Sequence, residues 1–462
     1  MVNENNITII CSLPDPASVN IVEKLRLTRN WKPVENNCFK VFRFKCFTIV
    51  EIKGHHIYQD SLDTRLEECG INSKLIIFAS RHSSKDGRKI LTVHTTGNVN
   101  EAKFGGRAHE LAVPAPYAMR NLICSLKRMC KDSSFEATLE ATHHGPSNLH
   151  TPSLFIEIGS TQTEWKDDVA GKIVADAILM LQKNGAPVAV GFGGGHYVSR
   201  QTKLVYETGI TFGHIFPNYQ LPFLDKDLVK QAFLKSGADF AYFDRKAMKD
   251  DVRSNLTEII HHLGHKVLRE SDIREMDGLP FEMYIQLQQK VKKLCANCKI
   301  RFTETIKQEL KSTCKEQVPA IIFSKIDSEL LRMAERVDRN RIEKLIEKEG
   351  IAYLEDENGR FSHILISLTD ECAKRVAEML TLECINIIKE NYQVRLDADK
   401  SQLTVTVRRF SPQRAEELGI SRGPLFGKLA RGEEVIINGK TIIPDMVYED
   451  IEKIIKLKNP RV

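Results

Sequence analysis

Residues Phe155–Tyr197 read FIEIGSTQTEWKDDVAGKIVADAILMLQKNGAPVAVGFGGGHY. Phe155–Ile158 and Val188–Val190 are short, mostly apolar runs of strand type, and Asp167–Gln182 between them has the spacing of a helix. A strand, a helix and a second strand predict an α/β unit built on a largely parallel sheet. The second strand runs into Gly191-Phe192-Gly193-Gly194-Gly195-His196-Tyr197. Glycines there can take φ > 0 and admit a ligand close to the main chain, and backbone N–H groups in such a turn can hold a phosphate or a developing oxyanion. The frame is not a dinucleotide fingerprint, because G-x-G-x-x-G would need glycine at His196. It lacks the Gly-Lys-Ser/Thr of a phosphate-binding loop. The plainer alternative is a tight corner between strand and loop.

Outward from this stretch the same alternation continues. Asn6–Leu13 is a β-type run ending at Pro14, Asp15–Leu27 has helical spacing, Phe39–Ile52 is rich in Val, Phe and Ile, and Lys74–Ser80 and Ile90–His94 are further apolar runs. Ala118–Lys131 is amphipathic at a helical period. From Pro280 to Gly350, Lys, Glu, Leu and Gln dominate, as in exposed helices. Beyond it, Thr404–Arg409 alternates like a strand, and Val435–Ile437 and Thr441–Ile443 flank Asn438-Gly439, a hairpin signal. These features divide the chain into residues 1–290, an α/β domain, and residues 291–462, an α+β extension that is helical first and contains a hairpin.

The 462 residues (52.5 kDa) are enough for two or three domains at about 150 residues each. With 42% apolar and 28% charged residues the composition is that of a globular protein and excludes collagen, coiled coil and wholesale disorder. The first residues show no basic segment followed by an apolar one, so a cytosolic location is expected. The surplus of +6 permits a polyanionic partner without demanding one. Eleven cysteines, scattered and mostly in apolar stretches, read as reduced core residues. Cys295-Ala296-Asn297-Cys298 lacks a second pair for a zinc ribbon, with only Cys314 near, and reads as two thiols on one helix face. Basic runs at Lys24–Lys32, Lys292–Arg301 and Arg408–Arg414 have Trp31, Phe302 and Phe410 in or beside them, a combination that nucleic-acid surfaces use. A fourth run is Lys453–Arg461.

The densest cluster of reactive side chains is Ala141-Thr142-His143-His144-Gly145-Pro146-Ser147-Asn148-Leu149-His150. Three histidines interrupted by Gly145 and Pro146 cannot share one regular helix and belong to a strand end or loop. Glu157 stands in the next strand, ahead of Gly159-Ser160-Thr161. Imidazole and carboxylate suit zinc, and zinc would make water a nucleophile near neutral pH. The alternative is a set of hydrogen-bonded polar residues at a strand end. His94-Thr95-Thr96-Gly97-Asn98 places further polar groups at the end of a strand, where α/β proteins bind ligands. His214, in Gly213-His214-Ile215, reads by itself as a core histidine.

Ala141–Pro146 (ATHHGP), Glu157–Thr161 (EIGST), Gly191–Tyr197 (GFGGGHY), Gly213–Ile215 (GHI) and Met276–Tyr284 (MDGLPFEMY) together resemble the archaeal and plant type of D-aminoacyl-tRNA deacylase, as do the opening Ile10–Ser18 (ICSLPDPAS) and the HTTGN stretch. The resemblance covers residues 1–290. It implies a phosphorylase- or peptidyl-tRNA-hydrolase-like core, zinc dependence, and hydrolysis of the ester that joins a D-amino acid to the terminal ribose of tRNA. On this reading His196, His144 and Glu157 are catalytic, with Gly194 and Gly195 as oxyanion donors. Asn98, Gly193, Tyr197 and Ser160 contact substrate, and His144, His150 and His214 ligate zinc. The partner is tRNA charged with a D-amino acid, met by a monomer without a membrane. Two other classes remain in play: a module that only grips the tRNA acceptor end, and a phosphorylase-like or other hydrolase of small molecules. Ala415–Val447 resembles a segment of the tRNA 3′-processing endonuclease, although that enzyme's His-x-His-x-Asp-His motif is missing. Gly419, Gly423, Pro424 and Gly427 are expected to shape a rigid loop presenting Arg422, Lys428 and Arg431 to tRNA.

Overall fold

The computed structural model describes residues 6–182, 185–313, 321–397, 402–437 and 439–457. Cys314, Asn438 and the tail of the last basic run lie outside the described residues. The chain divides into two compact units, Met1–Asp277 and Gly278–Val462. The division falls inside the MDGLPFEMY stretch, 13 residues before the position expected from composition.

The strands of the first unit are β1 (Ile7–Ser12), β2 (Lys32–Val34), β3 (Lys40–Phe44), β4 (Phe47–Ile52), β5 (Leu75–Arg81), β6 (Ile90–His94), β7 (Gly97–Asn98), β8 (Glu110–Leu111), β9 (Glu136–Leu139), β10 (Ser153–Gly159), β11 (Val188–Phe192), β12 (Thr211–Phe216), β13 (Phe240–Phe243) and β14 (Lys266–Leu268). An eight-stranded sheet has the order β2-β3-β4-β1-β5-β10-β6-β9. Its β4-β1-β5-β10 block is parallel, β10 and β6 are antiparallel, and β9 runs parallel to β6. A second, four-stranded sheet, β12-β11-β13-β14, is parallel throughout. The two strands that open the sequence reading, β10 and β11, thus lie in different sheets. The helix between them, Asp168–Leu179, forms as its spacing predicts, capped by Asp167, whose side chain accepts from Val169 N and Ala170 N. It packs on the helix Pro16–Thr28 through Asn20, whose amide donates to the Trp165 and Asp167 carbonyls. The inner strands are buried on both faces and mostly apolar, the exceptions including Ser80 and Glu157.

Between residues 280 and 350 the second unit is mainly helical, as expected, with the helices Phe281–Leu294, Glu304–Thr313 and Ser328–Glu349, but two short strands also fall in this span. Lys299–Phe302 and Ile322–Lys325 are strands of an antiparallel four-stranded sheet completed by Ala352–Glu355 and Phe361–Ser367. Two 22-residue helices, Ser328–Glu349 and Asp370–Asn391, pack against each other around Leu330, Ile342, Val376 and Leu380. Gln402–Phe410 pairs with Tyr448–Lys456, and Val435–Ile437 with Lys440–Ile442 in the expected hairpin. Residues 424–430 are a short helix rather than a loop, so Lys428 is a helical residue. The aromatic residues of the basic runs are also placed otherwise than expected. Trp31 and Phe302 are buried, Trp31 donating from Nε1 to the Leu25 carbonyl, and Phe410 packs against Phe426 and Tyr448. None of the three offers a free face for stacking. Cysteines 38 and 69 are joined, as are Cys295 and Cys298, because their Cα atoms come within 6.2 and 5.4 Å, inside bridging range. Cys295 caps the end of the helix Phe281–Leu294 instead of lying on its face. Among the described residues no helix is long and apolar enough to cross a membrane.

Candidate active site

Strand register assembles the site. Ser80 of β5 and Thr92 of β6 flank Glu157 of β10, and Thr138 of β9 flanks Thr92. Directly paired residues share a sheet face, and so do residues two apart on one strand. His82, His94 and Glu140 follow Ser80, Thr92 and Thr138 by two positions, so all three point to the face of Glu157. Just beyond, Ala141 N donates to the His196 carbonyl and Thr142 N to the Ile215 carbonyl, which ties this run to the second sheet. His143 and His144 therefore project between the two sheets, and His196 arrives from the turn after β11.

The result is a cluster of five histidines and two glutamates. Glu140 Oε1 lies 3.0 Å from His82 Nδ1, and its Oε2 lies 3.1 Å from His196 Nε2 and 3.6 Å from His143 Nε2. Glu157 stands 3.6 Å from His82 Nδ1 and 3.7 Å from His94 Nε2. The His143 ring centre is 4.4 Å from that of His94, 4.3 Å from that of His144 and 4.7 Å from that of His196. Burial alone would push both carboxyl groups up. The facing histidines win and hold Glu140 and Glu157 well below the usual carboxylate range. His82, between two carboxylates, is raised to about 11 despite its burial. His144 is lowered to about 4 by burial and by His94, and His143 is lowered for the same reasons.

The donor set fits a zinc ion. His143 Nδ1 lies 2.8 Å from the Ala141 carbonyl, His144 Nδ1 2.7 Å from the Gly145 carbonyl, and His94 Nδ1 3.1 Å from the Thr95 carbonyl. A carbonyl only accepts, so each Nδ1 carries the proton and each Nε2 keeps its lone pair, the tautomer a metal ligand needs. His94 Nε2 is buried without a hydrogen-bond partner, and both oxygens of Glu140 are buried with only the facing histidine rings of His82, His143 and His196 beside them. Among the described residues, ligand atoms within 4.8 Å of one another occur in three sets: His94, His143 and His144; Glu140, His143 and His196; and His82, Glu140 and Glu157.

Of the residues singled out from sequence, His144, Glu157 and His196 meet in this cluster. Tyr197 borders it, its hydroxyl 3.1 Å from His82 Nε2 and donating to Asp86. Gly194 and Gly195 have no partner for their N–H groups among the described residues and flank His196. Gly193 is tied into the turn by its own backbone bonds. At φ +94 it donates to the Phe216 carbonyl and accepts from Gln201, and a Cβ there would come within 2.9 Å of Met248. Asn98 donates to the Gly105 and Arg107 carbonyls and so holds a loop at the edge of the site. Ser160 is buried and donates to the Arg88 carbonyl, outside the cluster. His150 is exposed and anchored through its backbone N to Asp63, and it joins no ligand set. His214 is buried with Nδ1 at Thr142 Oγ1 and Nε2 at the Ala112 carbonyl, so both nitrogens are used and burial lowers it to about 3. Of the three histidines expected to ligate zinc, only His144 falls in one of these sets. His82 and Glu140 drew no attention in the sequence, and His94 and His143 stood in noted stretches without a role. Glu140 adjoins ATHHGP, and His82 is the first polar ring after an apolar strand; those were the available signals.

A cleft of about 360 Å³ opens against His143 and His144 and is also lined by Asn98, Phe104, Tyr219 and Phe223.

A family profile described as D-aminoacyl-tRNA deacylase matches residues 69–268, the span that contains every residue of the cluster. The D-aminoacyl-tRNA deacylase of Methanococcoides burtonii is 38% identical over 464 aligned positions, covering 98% of this chain and 97% of that protein. The one from Methanosarcina acetivorans is 51% identical, covering 60% of this chain and 96% of its own length. Among solved structures, a conserved protein of unknown function, AF0625, aligns with a TM-score of 0.56 and 39% identity over 59% of this chain and 98% of that one. With a full-length relative at this identity and the profile spanning the histidine–glutamate cluster, the chain belongs to the D-aminoacyl-tRNA deacylase family.

Proposed function

We propose that this protein hydrolyses the ester between a D-amino acid and the terminal ribose of tRNA, releasing both and returning mischarged tRNA to use. The observation that carries the reading is the convergence of His94, His143, His144 and His196 with Glu140 at the end of an open cleft. A zinc ion would be held by His94, His143 and His144, with Glu140 beside His143. When bound, it supplies a Lewis acid that brings water toward ionisation near neutral pH.

The protein's own groups do the rest. The His196 ring is partly exposed, its Nε2 beside Glu140 and its Nδ1 3.3 Å from the Tyr219 hydroxyl. It takes the proton from the attacking water and returns it to the departing 3′-oxygen as the acyl C–O bond breaks. Glu140 keeps the imidazole oriented and stabilises its charged form. The N–H groups of Gly194 and Gly195 meet the oxyanion. Glu157 holds His82 in place, and Tyr197 fixes the far nitrogen of His82. The bare main chain at Gly194–Gly195 lets the acyl Cα lie close, which admits one configuration. The parallel β4-β1-β5-β10 block supports reading the core as one of the phosphorylase and peptidyl-tRNA hydrolase kind.

The test is deacylation of matched D- and L-tyrosyl-tRNA by wild type and His196→Ala, with and without chelator. The D-ester alone should turn over, the variant should be folded and slower by about 10²-fold or more, and chelation should stop the wild type while removing stoichiometric zinc. Full activity in protein stripped of metal would end the zinc assignment.

A further inference from the structure

The cleft beside His143 and His144 has an unusual rim. Phe104, Tyr219 and Phe223 are 63%, 55% and 48% exposed, and all three line the one cavity. Large apolar rings gathered round a polar cleft and left to water are a feature that a ligand normally covers. The rings stand on ordered backbone. The Phe104 carbonyl accepts from Gly145 N at 3.0 Å, which ties it to the turn carrying His144, and Asn98 braces the loop behind it. Phe223 ends the one-turn helix Leu221–Phe223, four residues after Tyr219.

A substrate with its ester at the cluster has two limbs. The acyl limb is small and terminal and can be enclosed. The other limb is a macromolecule and must leave through the open side. Its first group is the terminal nucleoside, whose flat base stacks on aromatic rings without regard to sequence. We propose that this cleft is the subsite for the 3′-terminal nucleoside of tRNA, the base stacking on Phe104 and Phe223, with Tyr219 at the sugar between base and ester. The inference rests on the deacylase reading and deepens it. The competing occupant is the amino-acid side chain.

The experiment uses the full chain. Deacylation of D-tyrosyl-tRNA and D-alanyl-tRNA is compared for wild type, Phe104→Ala, Phe223→Ala and Phe104→Trp, and binding of uncharged tRNA ending in 2-aminopurine is followed by fluorescence. Both rings are exposed, so truncation leaves no hole in the core. Each alanine variant should raise KM by between about 5- and 150-fold, the worth of one base–ring stack. The factor should be equal for the two acyl groups and kcat little changed, and the tryptophan variant should keep the wild-type KM. The 2-aminopurine emission should be quenched by wild type and less so by the alanine variants. Unchanged KM in both, an effect confined to the tyrosyl ester, or unquenched emission at saturating wild type would overturn the proposal. Absence of turnover by wild type on either ester would instead strike the deacylase reading, and the fluorescence arm would still decide the subsite.

Discussion

Glu140 touches more of the candidate machinery than any residue noticed in the sequence, since His82, His143 and His196 all lie within 3.6 Å of it. Glu140→Gln keeps the shape and removes the charge. Deacylation should fall by about 100-fold or more while the circular dichroism spectrum is retained; a wild-type rate would remove Glu140 from the chemistry. His214 makes the opposite case. Fully buried with both ring nitrogens bonded, it should cost about 2–4 kcal/mol of stability when replaced by alanine and leave the zinc content of the folded protein unchanged. Loss of zinc from a folded His214→Ala protein would restore it as a ligand. His56 is a second such histidine, buried, facing the Ile10 carbonyl and Asp15, and lowered to about 3 mainly by burial. Both histidines ionise near 6.5 when unfolded. Below that pH the unfolded chain binds protons that the folded one refuses, so stability drops as pH falls from 6.5 toward 3, by up to about 1.4 kcal/mol per pH unit for each. Urea titrations from pH 7 to 4 should show it, and a flat profile would contradict the buried neutral state.

At the scale of elements, the ICSLPDPAS stretch is a joint. Asp15 caps the helix Pro16–Thr28 through Oδ1, which accepts from Ala17 N and Ser18 N, while Oδ2 accepts from Arg81 N at the end of β5. The residue after Arg81 is His82. Asp15→Ala should cost about 2 kcal/mol, a lost cap plus an unsatisfied N–H, and should slow deacylation as well because it frees the strand end that presents His82. A stability loss with unaltered rate would show that β5 needs no such anchor. The glycine of EIGST has a similar logic: a Cβ on Gly159 would lie 2.6 Å from His82 Cδ2. Gly159→Ala should therefore lower kcat more than it raises KM, as measured by steady-state deacylation, since the ring it displaces belongs to the cluster.

At the scale of the molecule, the second unit is proposed to add tRNA affinity without taking part in chemistry. Every cluster residue lies before Asp277, and one relative is covered over 96% of its length by 60% of this chain, the share that the first unit makes up (277 of 462). Arg422 and Lys428 stand in or beside the short helix Pro424–Ala430, where the sequence predicts basic groups presented to tRNA. Phosphate contacts from such a surface weaken with salt at a log–log slope of about −0.9 per contact on duplex. Ending the chain at Asp277 should raise KM at physiological salt and flatten its salt dependence, with kcat at saturating tRNA little changed, and Arg422→Ala/Lys428→Ala in the full chain should do the same in part. A KM unaltered across a salt series in both would leave this unit a packing role.

The sequence by itself determined the elements and the neighbourhood of the site. Apolar runs located β1, β5, β6, β10 and β11, the Asp167 cap and its helix followed from local hydrogen bonding, and glycine-interrupted histidines marked a loop that could not be helix. Each of these is set by residues a few positions apart. Tertiary structure alone decided which sheet a strand joins and which side chains face each other. That β10 and β11 part into two sheets depends on pairings across 50 residues and more, such as Val188 N to Asp239. His82 and Glu140 are 58 positions apart and meet because β5, β10, β6 and β9 share a register that turns one face of each strand toward Glu157. His150 and His214, close to the motifs in sequence, are excluded for the same reason: the backbone of one is held by Asp63, and the ring of the other is consumed by the core.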